Sequence, residues 1–179
     1  MQIHEIHDLS NRYVTDLMYY GLSEITDKNY IRNYHPDYAN ESSNLFAILD
    51  NGRYTQGTGK YFVIEQDGKY VCSAGWNKYE LDPNIAFALT RMYASPKYRG
   101  QYLIGSNILP KTLEETATYS NVWMTVNKHN KVMYSWFLRL SQNKRTALFN
   151  DWPEIYKRFK PIGEKVIYNT KQYVVELER

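Results

Sequence analysis

The sequence predicts a mixed α/β domain built on one twisted, mostly antiparallel sheet flanked by helices, and three observations carry that prediction. Apolar residues recur at helical spacing near the start of the chain. Two β-rich runs then meet across a tight-turn dipeptide, and beyond them strand-like and helix-like segments alternate before two closing strands. A chain of 179 residues with 43% hydrophobic and 23% charged residues has the size and composition of one globular domain, and residues 1–179 are read as a single unit.

Ile6, Leu9, Tyr13, Leu17 and Tyr20 follow one another every three or four positions, which predicts an amphipathic helix from Ile6 to Leu22 with Gly21 as its stop. The polar stretch from Ser23 to Ser43 reads as a long loop, after which Ser42 or Ser43 caps a short helix through Leu49. A glycine-punctuated loop from Gly52 to Gly59 leads into Tyr61–Glu65, which meets Tyr70–Ala74 across Gln66-Asp67-Gly68-Lys69. Asp-Gly between two β-rich runs is a strong hairpin signal. A third strand from Ile85 to Ala94 precedes a turn and a helix from Leu103 to Tyr119. Strand Val122–Val126, helix Lys131–Leu140 and two strands, Lys165–Asn169 and Gln172–Glu178, complete the order. Asn150 to Tyr156 has the form of a capped helix start with proline in its first turn.

Composition narrows the function classes. A net charge of +3 and a pI near 8.8 fall short of the charge density of a chain that lives on nucleic acid. The positive charge gathers between Lys128 and Lys160, a run that fits a solvated helix face better than a phosphate surface. Tyrosine, with 18 residues, supplies much of the apolar area and implies half-wet surfaces as well as core. Cys72 is the single cysteine and lies in a strand-like run, so it reads as a small buried hydrophobe, and neither a disulfide within the chain nor a multi-thiol zinc site is available. His4 and His7 lack the spacing of a zinc protease, and no metal is assigned. The first residues lack the pattern of a signal peptide and no stretch is long and apolar enough to span a bilayer, so a cytoplasmic location is expected.

The chemistry concentrates in ALTRMYASPKYRGQYLIGSNILPKTLEE, Ala88 to Glu115: a strand, a turn with Arg99-Gly100 and Gly105, then a helix. The first N–H groups of such a helix and the positive end of its dipole suit a phosphate or pyrophosphate, glycine lets the backbone approach it, and Arg99 adds a permanent charge. The pattern Met92-Tyr93-Ala94-Ser95-Pro96, Lys97-Tyr98-Arg99-Gly100, Ile104-Gly105-Ser106 is similar to the central motif of the GNAT acyltransferase superfamily, and NVWMTVNKHNKVMYSWFLRL resembles the strand, asparagine and helix that follow it. The resemblance covers roughly Ala88 to Leu140. It implies a single GNAT-like acyl-CoA N-acyltransferase domain that transfers an acetyl group from acetyl-CoA, as co-substrate, to a primary amine within a ternary complex. It further implies that the main chain of Met92, Tyr93 and Ala94 holds the pantetheine arm, that Arg99, Gly100, Gln101, Tyr102, Leu103, Ile104, Gly105 and Ser106 hold the pyrophosphate, and that Asn130 completes the cofactor site.

Two departures accompany the match. Counted from Arg99, Tyr102 and Ile104 occupy the positions where the family has small residues, so the loop is one residue longer, and Pro110 falls inside the following helix, where it should kink the axis. The position that the family gives to a tyrosine acid is Phe137, which makes Tyr134, one turn earlier, the preferred proton donor. The N–H of Tyr93 or Ala94 is expected to polarise the thioester carbonyl. Glu65, Glu80 and His129 are candidates for the base, with Glu80 preferred. The competing reading is a noncatalytic module of the same fold that engages a protein or nucleic acid through the basic region 128–160.

Overall fold

The computed structural model describes residues 1–6, 58–94, 96–127, 133–135, 158–167 and 169–178. The expected helices within 6–22 and 43–49, most of the loop 52–59, the helix start at 150–156, and His129, Asn130 and Phe137 lie outside these residues. Among the described residues seven strands form one sheet: β1 (Gln2–Ile6), β2 (Gly59–Gln66), β3 (Lys69–Tyr79), β4 (Asp82–Ala94), β5 (Asn121–Asn127), β6 (Phe159–Ile167) and β7 (Thr170–Leu177). Their order across the sheet is β1-β2-β3-β4-β5-β7-β6. Every neighbouring pair is antiparallel except β4 and β5. The mixed, mostly antiparallel sheet is therefore as the sequence predicts.

The β2–β3 hairpin turns at Asp67 and Gly68, both left-handed with φ of 54° and 71°, the backbone that a two-residue hairpin needs to match strand twist. The β6–β7 hairpin uses Asn169 in the same way, at φ 60°. At the N-terminus the structure corrects the sequence reading. Ile6 ends β1, paired with Tyr61, rather than beginning a helix. Ile3 packs into the core and Glu5 on the same face reaches Lys60 and Lys111, while His4 on the other face bonds Glu65, a strand alternation too short to register against the longer three-to-four spacing beyond it.

One face of the sheet is covered by a helical segment that runs in two styles. Ile104–Ile108 is a π-helical turn and Leu109–Glu115 is an α-helix, here α1. Ile104 and Ile108 pack on Phe62, Ile64, Cys72, Ala74, Trp76 and Ala86 of β2, β3 and β4. Leu109 packs on Ala88, Val122, Met124, Val126, Tyr173 and Val175 of β4, β5 and β7. The segment therefore bridges the β4–β5 junction. Ile108 and Leu109 are fully buried, and each such side chain contributes about 1.5–3 kcal/mol of transfer free energy.

Pro110 explains the change of style. In a continuous α-helix its ring would clash with the carbonyl of Ser106, whereas the wider π turn, closed by the bond from the Leu109 N–H to the Ile104 carbonyl, places Pro110 in the first turn of α1, where its missing N–H costs nothing.

Candidate active site

The site is built where the sheet parts. β4 and β5 pair through only Ile85–Asn121, Ala86–Val122 and Phe87–Trp123. Beyond Phe87, β5 turns all its remaining pairing toward β7, while β4 continues to Ala94 with pairs recorded only to β3. From Ala88 to Ala94 the β5-facing edge of β4 thus has no partner strand among the described residues. Parallel pairing at the base and separation above it make a wedge whose walls are main-chain N–H and C=O groups.

β4 is irregular along this wedge. Its register with β3 slips between Gly75–Thr90 and Asn77–Phe87, and again between Ser73–Tyr93 and Gly75–Thr90, each time with an extra residue on β4. Leu89 lies in the first slip with φ 53°, a left-handed conformation that costs a non-glycine residue about 1–3 kcal/mol. Such a bulge swings peptide groups off the ladder. The left-handed bulge is therefore at Leu89, whereas Tyr93 and Ala94, to which the sequence reading gave the carbonyl-polarising N–H, sit opposite Ser73 and Cys72. Met92, with Tyr93 and Ala94 on the upper wall, has an exposed side chain.

Above the wedge, Pro96–Tyr98 form a 3-10 turn. Arg99 donates from Nε to the Ala94 carbonyl at 3.0 Å, which fixes its guanidinium to the end of β4. Gln101 donates its side-chain amide to the Lys97 carbonyl at 3.1 Å. Gly100 (φ 80°) and Tyr102 (φ 56°) both take the left-handed conformation that reverses the chain into the helix. The helical ladder then begins with the bond from Ser106 N–H to the Tyr102 carbonyl at 2.8 Å, so the N–H groups of Leu103, Ile104 and Gly105 lie ahead of it at the positive end of the helix. Arg99, Gly100, Gln101, Tyr102 and Ser106 are exposed around this turn, while Ile104 and Gly105 turn inward. The residues expected at the pyrophosphate thus lie around one turn, with Ile104 and Gly105 buried.

Tyr134 belongs to a short described helical stretch, Met133–Ser135, half-buried against the core cluster of Ala88, Leu109 and Val126. Its ring stands edge-on to Tyr173 of β7, with centroids 5.5 Å apart. The phenol is therefore on the α1 side of the wedge, beside its β5 wall. Glu80 is exposed in the β3–β4 turn, about 10 Å along β3 from Asn77, the partner of Phe87. Glu65 is bonded to His4 at 2.7 Å on the β1–β2 edge, two strands away from the wedge. Cys72 is buried, and burial pushes its thiol up to about 11, the state of an inert core residue. No cluster of metal-ligating side chains occurs among the described residues, and none of their helices is long and apolar enough to cross a membrane.

A sheet opened between a parallel central pair, with a left-handed bulge on one wall and a phosphate-type turn above it, can be compared with solved structures. A GNAT-family protein from Desulfovibrio desulfuricans superimposes with a TM-score of 0.60 over 99% of this chain and 98% of that one, at 10% identity. The chain has the fold of the GNAT acyltransferases. The ribosomal-protein-alanine N-acetyltransferase from Brucella melitensis matches at a TM-score of 0.58 and 16% identity over 100% of both chains. The aminoglycoside acetyltransferase AAC(6')-Ib, solved with coenzyme A and kanamycin, matches at 0.61 and 9% identity over 99% of this chain and 95% of that one. No family model matches the sequence, and neither does any curated protein. At these identities the likeness to GNAT structures lies in the backbone, and it places the wedge and its turn within a fold whose solved examples include one with coenzyme A bound.

Proposed function

We propose that the whole chain is one GNAT-type domain that transfers an acetyl group from acetyl-CoA to a primary amine. The observation that carries this reading is the wedge: a β4 edge that no described strand pairs from Ala88 to Ala94, directly below a turn that presents Arg99 and the first N–H groups of a helix. The pantetheine arm is a chain of amides, and an open strand edge is a ladder of complementary donors and acceptors. The pyrophosphate has the charge and size for the helix entrance, with Arg99 held by Ala94 as its counter-ion. Coverage of GNAT structures over 95% or more of both chains supports the single-domain reading.

In the proposed reaction the amine nitrogen attacks the thioester carbonyl, a tetrahedral oxyanion forms and collapses, and the C–S bond breaks to give an amide and a thiol. A main-chain N–H turned off the ladder at the Leu89 bulge is suited to the oxyanion, because a preset dipole needs no reorganisation as charge develops. Tyr134 supplies the proton to the departing thiolate, and Glu80 removes the amine proton through water. Asn130, Tyr93 and Ala94 keep their proposed contacts with the cofactor.

Isothermal calorimetry with acetyl-CoA tests the reading. Saturable one-to-one binding is expected, and Arg99→Ala should weaken it about tenfold, the loss of one charge-assisted phosphate contact. Folded protein that takes up no acetyl-CoA would overturn the proposal.

A further inference from the structure

We infer that the Leu89 side chain sets the length of the acyl group this protein accepts: it closes the foot of the wedge behind an acetyl group and turns away thioesters with longer chains. The inference rests on the proposed acetyl transfer and adds the residue that selects the acyl donor.

Alternation along β4 locates the side chain. Ala86 and Ala88 belong to the clusters that pack under the helical segment, while Phe87 between them joins Ile167 and Val174 on the opposite face. A regular strand would send Leu89 to the face of Phe87. The left-handed backbone at φ 53° breaks the alternation. Leu89 packs instead against both clusters on the helix side, which sets it beside Ala88 over the junction of β4 and β5. It is only half-buried there. Part of its isobutyl group therefore faces out of the packed core, at the level where β4 has just parted from β5.

The residue type at this position argues for a use. Glycine takes left-handed backbone freely and asparagine tolerates it, whereas leucine is strained there. A leucine held in that conformation supplies apolar bulk where backbone geometry alone would favour glycine, and strain of this kind points to function.

Length brings the thioester to the same place. The pantetheine arm runs about twelve bonds from phosphate oxygen to sulfur, equal to about four residues of extended chain or roughly 14 Å. Arg99 ties the phosphate turn to the Ala94 carbonyl. An arm descending β4 from Ala94, at about 3.3 Å per residue, then brings its sulfur to Thr90 and its carbonyl to Leu89. The floor of the wedge is the Phe87–Trp123 pair, two residues or roughly 7 Å lower. Subtracting a carbon–carbon contact distance of about 3.5–4.0 Å leaves roughly 3 Å, room for the methyl of an acetyl group but not for the propyl tail of a butyryl group. A longer chain has to bend toward the helix, into the volume that Leu89 fills against Leu109 and its neighbours.

Calorimetry of the full chain with acetyl-, butyryl- and hexanoyl-CoA tests the inference. The quantity read is the ratio of affinities within each variant, so that a general change in cofactor binding cancels. Wild-type protein should bind acetyl-CoA at least about tenfold more tightly than butyryl-CoA, and hexanoyl-CoA more weakly still. Leu89→Gly, which relieves the backbone as it removes the side chain, should bring acetyl- and butyryl-CoA within about twofold, because the added methylenes then enter an apolar cavity. Leu89→Ala should fall between the two, and circular dichroism verifies that both variants fold. Equal affinity of the wild type for acetyl- and butyryl-CoA would overturn the inference and leave the acetyl-CoA reading standing. So would a preference that survives unchanged in folded Leu89→Gly, the result expected of a side chain that only packs the core. Binding of none of the three thioesters would remove both.

Discussion

Thr112 is completely buried in α1 and its hydroxyl has no hydrogen-bond partner. A buried hydroxyl without a partner loses its water and receives nothing in exchange, so Thr112→Val, which keeps the shape, should raise stability by about 1 kcal/mol. In a chain of this size that is a rise of about 2–4 °C in melting temperature by differential scanning calorimetry; an unchanged or lower value would mean that the hydroxyl is satisfied. Tyr134 makes the opposite kind of case, because its phenol is proposed to act on the reaction and its ring to pack on Tyr173. Tyr134→Phe keeps the ring, so kcat should fall by about tenfold or more while acetyl-CoA affinity stays the same, and equal turnover would remove the phenol from the mechanism. Single residues also show where sequence reading ends. Arg99, Gly100 and Asp67-Gly68 are legible because their types match the geometry they serve. Leu89 and Tyr102 are not, since both adopt left-handed backbone that a reader assigns to glycine or asparagine. The Trp123–Glu176 hydrogen bond gave no motif at all, because it joins residues 53 positions apart in sequence.

At the level of elements, β1, β2 and α1 are tied together by charge. Lys60 on β2 bonds both Glu5 of β1, at 3.2 Å, and Glu115 of α1, while Lys111 of α1 lies 3.6 Å from Glu5. Burial alone would lower the Lys60 pKa and raise that of Glu5, but the bonds between them outweigh it, leaving Lys60 raised and Glu5 lowered. The signs define a window. The Glu5 contribution is present above the ordinary carboxylate value of 4.5 and is lost as pH falls through the lowered one. The Lys60 contribution is complete below 10.5 and is lost as pH rises through the raised one. Lys60→Met should therefore cost about 1 kcal/mol between pH 6 and 9 in urea unfolding, with the difference from wild type shrinking below about pH 4. A difference that persists at pH 3 would show that packing of the Lys60 stem, not charge, holds these elements.

The same elements show how far local pattern carries. The hairpin, the central strand and the helix after it were legible because period and turn chemistry agree over many residues. β1 was hidden by a stronger helical spacing next to it, and β6, expected from Lys165, begins at Phe159 because Pro161 and the bulge at Gly163 disguise its first half. The π turn ahead of Pro110 was not legible, since it depends on helix geometry that a linear motif does not encode.

For the molecule as a whole, the described sheet is two blocks, β1–β4 and β5–β7–β6, joined by three parallel pairs and by the helical segment that packs on both. A ligand that fills the wedge contacts both blocks and stabilises the fold by mass action. Acetyl-CoA at one hundred times its dissociation constant should add about 2.7 kcal/mol, a shift of about 5–10 °C in melting temperature. No shift at saturating acetyl-CoA would separate binding from the wedge. One consequence of this opening reaches beyond chemistry. Among the described residues the upper part of β4 has no partner strand on its β5 side, and strand edges in the middle of a sheet ordinarily recruit strands from other molecules. The left-handed kink at Leu89 and the doubled register slips spoil it as a template for a flat peptide strand, so the irregularity that serves the proposed cofactor also guards the protein against self-association through its own centre.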